Sequence, residues 1–498
     1  MTGGFFDANG EQIGAADFVI VGSGAGGGAA ARALSGAGRS VAVLEEGPRV
    51  TAADVSTSVH RSMRQLFREG GRTAMLGRAP IPYLQGRVVG GTTFVNSAIT
   101  WRTPEKVVAQ WRTDFGLDEL LADLDAAYAT LEEEMHVRPT GDDIASVNDR
   151  MMRDGATRVG IESRPTHRNE LGCKGSGRCI HGCPNAAKQS TAINHLVRAA
   201  EGGARIFANA HVRRVVLRGG RAVGVEGRAV GSGRPFYVEA RKAVVLAASA
   251  VQSPNLLARS GVRNAHLGRH FMAHPGTSIV GVYPQRIDMW TGASQGYEAF
   301  GLRDKLGVKL ETINIPPEVS AARLPGAGPR LAAWMERLPH VGAWAIALKA
   351  EAEGTVRPSW LFGDAVRFTL TTGDVDRLRR GIRAAAEMHF AAGAREVLAS
   401  IHGMPEVLTS PDELRLFDDA PLDARAYNMI ATHLFGGCRA ARDPAAGVVD
   451  PSLAVHGLRG LYVMDASVLP TNTGVNPQHG IMAVALSAAR RLAERGPA

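Results

Sequence analysis

The first strong hydrophobic signal in the chain is Phe18-Val-Ile-Val21, an uninterrupted apolar run closed at once by glycine. A short β-branched run of this kind, bounded by a turn signal, predicts a buried strand. Gly22-Ser-Gly24-Ala-Gly-Gly27 follows, then an Ala-rich stretch of helical character, then Ser40-Val-Ala-Val-Leu-Glu45-Glu46-Gly47-Pro48. Further on, residues 50–85 read as a helical, partly polar excursion ending at Pro80 and Pro82. Residues 105–155 carry Glu, Leu and Ala at helical spacing and predict surface helices. Residues 203–225 predict a strand, a short turn and a second strand. Lys242-Ala-Val-Val-Leu-Ala-Ala-Ser249 predicts a buried strand feeding a helix near Ser253-Pro254, where Pro behind Ser marks a start. Between 275 and 425, alternating strands such as Val366–Thr372 mix with amphipathic helices. An Ala-rich helix over 480–494 closes the pattern.

The glycines after the first strand have separate physical uses. Gly22 allows the tight turn, Gly24 lets a pyrophosphate approach the backbone, and Gly27 lets the helix pack closely. The helix N-terminus then receives phosphate charge. Glu45 stands about 20 residues on, at the end of the second strand, where a carboxylate accepts from a ribose hydroxyl. Its neighbour Glu46 abuts the Gly47-Pro48 turn, which makes Glu45 the preferred ligand. Gly90-Gly91-Thr92-Thr93 supplies a second loop of closely spaced N–H and hydroxyl donors, suited to a phosphate or a flavin edge.

Length and charge bound the rest. At 498 residues the chain exceeds one core's usual range, so two joined domains are expected. The net charge of +9 raises the question of nucleic acid. Its densest basic stretch, Arg377-Leu-Arg379-Arg380-Gly-Ile-Arg383, has no interleaved aromatics and reads as a solvated helix face; no nucleic-acid partner is expected. No run reaches membrane-spanning length, and the N-terminus lacks the basic and apolar regions of a signal peptide. The expectation is a soluble, cytoplasmic protein that is not an integral membrane protein.

The most diagnostic chemistry lies at the end of the chain. Thr432-His433-Leu-Phe-Gly-Gly-Cys438 is followed by Leu461-Tyr-Val-Met-Asp465-Ala-Ser467 and by Pro470-Thr-Asn472-Thr-Gly474-Val-Asn476-Pro477. Together with the first βαβ unit, Gly86-Arg-Val-Val-Gly-Gly-Thr-Thr-Phe-Val-Asn96 and Ala250-Val-Gln-Ser-Pro-Asn-Leu-Leu257, this block resembles the glucose–methanol–choline family of FAD-dependent oxidoreductases. The resemblance covers the chain except roughly residues 280–420.

It implies an α/β fold: a Rossmann-like FAD-binding domain with an interleaved α+β substrate-binding domain. The expected bounds are 1–275 for the FAD domain, with excursions at 50–85 and 105–185, 276–424 for the substrate domain, and 425–498 for the return carrying the catalytic pair. The family's active-site His is followed, 43 residues later, by His or Asn, which are His433 and Asn476 here. The implied reaction is alcohol oxidation, with hydride passing from a CH–OH carbon to flavin N5, His433 as base and Asn476 as partner. Imidazole suits the proton step near neutral pH. The implied cofactor-binding residues are Gly22, Gly24, Gly27, Glu45, Gly90, Gly91, Thr92, Asn96, Val212, Asp465 and Pro477. Some relatives attach FAD through a histidine near 91–97; that loop has none here, so non-covalent FAD is expected. Oxygen, a quinone or a redox protein would reoxidise the flavin. A non-redox lyase or decarboxylase on the same fold is the alternative. His274, in Phe-Met-Ala-His-Pro, and Cys438 read as structural, and His479 as a packing residue.

Three of the four cysteines fall together as Cys173, Cys179 and Cys183, with Pro184 next. In a reducing compartment such spacing suggests metal more than a disulfide. It resembles the three-iron-cluster segment of bacterial sugar dehydrogenases in this family, although Gly172 stands where those relatives usually have an extra cysteine. Metal-free thiols, a zinc site with His181 and a disulfide are the other readings. For the substrate, Met289, Trp290, Tyr297, Phe300, Trp334, Trp344 and Trp360 in the presumed pocket domain suggest a bulky apolar alcohol.

Overall fold

Ala16–Val21, Ala25–Gly36 and Val41–Leu44 form the expected strand, helix and strand in the computed structural model, which describes residues 3–361 and 363–497. The two strands lie side by side in an eight-stranded sheet. Its order is Phe5–Asp7, Arg205–Ala208, Val41–Leu44, Ala16–Val21, Pro235–Leu246, Arg221–Ala229 and Ala210–Arg218, with Leu461–Val463 also on Pro235–Leu246. The pairings from Phe5–Asp7 to Leu461–Val463 are parallel. Parallel strands are covered on both faces, which is why Val41–Leu44 is apolar and buried throughout.

Two helices of small residues, Ala25–Gly36 and Gln478–Arg495, pack together on this sheet. The glycines permit the approach. A Cβ on Gly27 would collide with the Gly22 carbonyl, and one on Gly26 with the Met464 carbonyl.

A second, ten-stranded sheet carries the other core. It runs Thr73–Met75, Ile81–Tyr83, Ile430–Phe435, Met272–Val282, Val341–Leu348, Val308–Ile313, Tyr297–Ala299 and Ser163–Pro165, with Glu396–Leu398 and Val407–Leu408 beyond Met272–Val282. Helix Thr372–Ala391 packs on this sheet.

The sequence-based boundaries differ from this layout in three places. The 275/276 cut falls inside the strand Met272–Val282. Ile430–Phe435, expected with the FAD domain, pairs antiparallel with that strand, Met272 opposite Phe435 and Ala273 opposite Leu434. The excursion at 50–85 contributes two short strands to the second sheet besides its helix Val59–Leu66. The expected strand Val366–Thr372 also stops early, at Arg367, because Thr371 caps a helix: its hydroxyl accepts from Asp374 N at 3.0 Å, and its N–H donates to the Asp374 carboxylate at 3.1 Å.

Candidate active site

A cavity of about 790 Å³ runs between the two sheets and collects most of the singled-out residues. Gly22, Gly24, Glu45, Gly91, Thr92, Asn96, Val212, Asp465 and Pro477 line it, as do His433 and Asn476. Gly27 and Gly90 stand behind the wall. Gly27 serves the helix packing expected of it, and Gly90 N–H donates to Ser23 Oγ at 2.9 Å, tying the second glycine loop to the first. A Cβ on Gly24 would touch only Gly91 Cα, at 3.9 Å, so the two loops flank an open slot of the kind a pyrophosphate needs.

The two tandem acids have different work. Glu45 is buried and accepts from Ser23 N at 3.1 Å, Ser23 Oγ at 2.6 Å and Gly47 N at 2.8 Å. Burial outweighs those bonds and raises its pKa, an environment in which further hydroxyl donors would favour the anion. Glu46 instead pairs with Arg68 at 2.6 Å and Arg87 at 3.0 Å. Although burial opposes it, Arg68 above all holds the Glu46 carboxyl down to about 2. Glu46 is thus held by two arginines, whereas Glu45 has no ion-pair partner among the described residues and is tied to neutral donors of the glycine loop and the turn. Asp465 receives Ser249 N at 2.9 Å, Ser253 Oγ at 2.5 Å and Ser467 N at 2.8 Å, which fixes the turn into Ala466–Val468. Asn96 Nδ2 donates to Gln478 Oε1, joining the second loop to the helix that starts after Pro477. Gln85 Oε1 is buried in the cavity wall with no protein partner among the described residues.

His433 sits on the central strand Ile430–Phe435. Burial pushes its imidazole down to about 4, with Glu311 opposing the shift and Lys309 adding to it. Its Nδ1 lies 3.1 Å from His274 Nδ1, and the rings meet edge to face. His274 was expected to be structural; it touches the proposed base because Met272–Val282 is the neighbouring strand. Cys438 is buried, and its N–H donates to Ser467 O at 2.9 Å. His479 packs on Tyr128 with Nε2 3.3 Å from Glu132, in keeping with a packing role.

Asn476 is held by groups that sequence reasoning missed. Lys309 Nζ donates to Asn476 Oδ1 at 2.5 Å and pairs with Glu298 and Glu311, both at 2.7 Å. All three charged side chains are buried. Burial works against the Lys309 charge, but Glu298 and Glu311 outweigh it and hold its pKa above the ordinary value. An ammonium only donates, so Asn476 Oδ1 must face it, which leaves the amide nitrogen of this cavity-lining residue as its donor group. A signal existed: Val308-Lys-Leu-Glu-Thr-Ile places Lys309 and Glu311 at i, i+2 inside an apolar strand, so both share one face.

Beyond this pair the wall is largely aliphatic, with Val280, Ile313, Ile315, Leu324, Ile346 and Ile430, interrupted by Ser278, Gln295, Glu318 and Arg323. Of the aromatic and Met residues expected to line a pocket, only Met289 does so among the described residues. Trp344 is fully buried, stacked on His389 and donating to Asn148 Oδ1 at 3.0 Å, while Trp360 is exposed.

Models of the GMC oxidoreductase family match residues 63–276 and 352–485, and a model of the NAD(P)-binding Rossmann-like domain matches 20–74. An uncharacterized GMC-type oxidoreductase of Mycobacterium tuberculosis is 36% identical over 489 residues, 97% of this chain and 76% of the relative. The chain belongs to the GMC oxidoreductase family. It is a flavoprotein that uses FAD and an oxidoreductase acting on CH–OH donors. Another GMC-type relative, from Sinorhizobium fredii, is 33% identical across 97% of this chain and 96% of its own length. A long-chain-alcohol oxidase of Arabidopsis thaliana is 30% identical over 94% of this chain and 66% of its own. Among solved structures, formate oxidase superposes with a TM-score of 0.74 at 17% identity, covering 97% of this chain and 99% of its own. Pyridoxine 4-oxidase from Mesorbium loti gives 0.70 at 20% identity, over 96% and 99%. These likenesses bear on the fold. No helix among the described residues is long and apolar enough to cross a membrane.

The cysteine trio of this GMC oxidoreductase does come together, but around a guanidinium. Arg168, buried, places Nη1 3.9 Å from Cys173 Sγ and Nη2 3.5 Å from Cys179 Sγ, while Nε donates to Ser97 O. Lys188 Nζ donates to Asn96 O at 2.7 Å and Cys179 O at 2.9 Å. Burial opposes a charge on Cys179, yet Arg168 and then Lys188 hold its thiol below the ordinary value. Two cations thus stand in the small space the thiols share with Cys183. No group of three or more His, Cys, Asp or Glu among the described residues is arranged to hold a metal ion. With Arg168 and Lys188 in that space, the arrangement does not fit a three-iron cluster.

Proposed function

We propose that this GMC oxidoreductase oxidises a bulky apolar alcohol, of the long-chain aliphatic class, to its carbonyl product. The observation that carries the reading is the one cavity in which His433 and Asn476 share walls with Gly22, Gly24, Glu45 and Asp465 and with a largely aliphatic surface. FAD, when bound, supplies the acceptor for the hydride leaving the CH–OH carbon. His433, kept neutral by burial, takes the hydroxyl proton, and Glu311 favours the imidazolium that results. Asn476 donates its amide N–H to the alcohol oxygen and cannot compete for the proton. The start of helix Gln478–Arg495 lies on the cavity wall, where its positive end stabilises negative charge gathered at the cofactor. Oxygen, a quinone or a redox protein then removes the electrons.

The cofactor is read as non-covalent FAD without an iron–sulfur companion. Acid precipitation of the purified protein is expected to leave all flavin in the supernatant, with iron and acid-labile sulfide at background. Flavin retained in the pellet, or about three irons per chain, would contradict this part of the account.

A further inference from the structure

We propose that Asn472 and His274 are positioning residues that fix which nitrogen of His433 acts as the base. The inference rests on the reading of His433 as base given above. Asn472 is buried, and its Nδ2 donates to two backbone carbonyls, Ala273 O at 3.0 Å and Ala350 O at 3.3 Å. Carbonyls accept only, so the amide cannot flip, and Oδ1 points the other way. There it accepts from Gly474 N at 3.0 Å and contacts His274 Nε2. An amide oxygen has no proton to give, so His274 Nε2 carries one.

His274 is buried, and burial first, then the neighbouring His433, drives its pKa well below the ordinary value. It is neutral and holds a single proton, on Nε2, which leaves a lone pair on Nδ1. That lone pair faces His433 Nδ1 at 3.1 Å. One of two facing ring nitrogens must donate, and only His433 can. Neutral His433 therefore carries its proton on Nδ1 and its lone pair on Nε2, the nitrogen left for the substrate hydroxyl. The orientation starts from two main-chain carbonyls and passes through Asn472 and His274 to the reacting atom. When Nε2 takes the proton, the Nδ1–H bond to His274 persists, so the ring keeps its place while charged.

The proposal has a direct readout that needs no substrate: the ring ¹⁵N shifts of histidine-labelled protein near neutral pH, with His433 identified by its loss in His433→Asn. His433 is expected to be protonated at Nδ1 and His274 at Nε2. Asn fits the place of the His274 ring on the Nδ1 side and offers an acceptor there. His274→Asn should keep the His433 tautomer, whereas His274→Leu should allow Nε2 protonation and lower kcat about tenfold or more with little change in KM. A wild-type His433 protonated on Nε2, or a His274→Asn variant in which it becomes so, would overturn the proposal. An Nδ1–H tautomer that persists in His274→Leu would do the same. A wrong tautomer in an enzyme that oxidises alcohols sinks the relay alone. The expected tautomer in a protein whose flavin no alcohol reduces sinks the functional reading alone.

Discussion

His433→Ala is expected to slow flavin reduction by alcohol about 10²- to 10⁴-fold, the usual weight of a positioned general base. FAD content should stay at the wild-type level, because the glycine loops, Glu45 and Asp465 are anchored independently of this side chain. The pH dependence gives a second check. Burial lowers the His433 pKa to about 4, so the neutral, proton-accepting form persists well below the ordinary histidine range of about 6.5. In wild type, kcat/KM should hold through mildly acidic pH and fall only as pH approaches 4. A profile that already falls near 6.5 would mean that the ring is solvated or that another group is the base.

Lys309→Met should damage both stability and catalysis. Glu298 and Glu311 stand directly opposite each other in the antiparallel register of Tyr297–Ala299 and Val308–Ile313. Like charges so placed repel, and Lys309 bridges them from two residues away. Arg164 pairs with Glu298 at 2.8 Å, but Glu311 has Lys309 as its ion-pair partner, so its charge would be stranded. Breaking a buried pair from one side costs about 3–5 kcal/mol, readable as a lowered urea midpoint at unchanged slope. Asn476 also loses the donor that orients its amide, which should depress kcat beyond the stability loss. The acid limb of kcat/KM should move up toward neutral, because removing a cation that lowers the His433 pKa favours the imidazolium. Unchanged stability together with an unmoved acid limb would contradict the bridging role.

The parts of the site legible in the sequence are those where backbone geometry limits the choice of residue. Gly22 needs a positive φ of 100°, and Gly26 and Gly27 need the absence of a Cβ, so the cofactor loop announces itself. Glu45, His433 and Asn476 sit at fixed distances from such punctuation. Lys309, Glu298, His274 and Asn472 do not. They act through space across strands far apart in the chain, and nothing local in Tyr-Glu-Ala or Ala-His-Pro states which side chain lies opposite. The passage of strand Met272–Val282 through 275 was illegible for a related reason: its partners, Ile430–Phe435 and Val341–Leu348, come from later in the chain. The pocket aromatics were misplaced because a large ring gains as much from core burial as from lining a cavity, and Trp344 took the core.

The most direct test of the account is anaerobic mixing of the FAD-loaded enzyme with a long-chain primary alcohol, followed by flavin absorbance. Full bleaching at a saturable rate, strongly slowed in His433→Ala, is the predicted result. Flavin that stays oxidised with long-chain, terpene, steroid and aryl alcohols alike would contradict the claim that this cavity oxidises a bulky apolar alcohol.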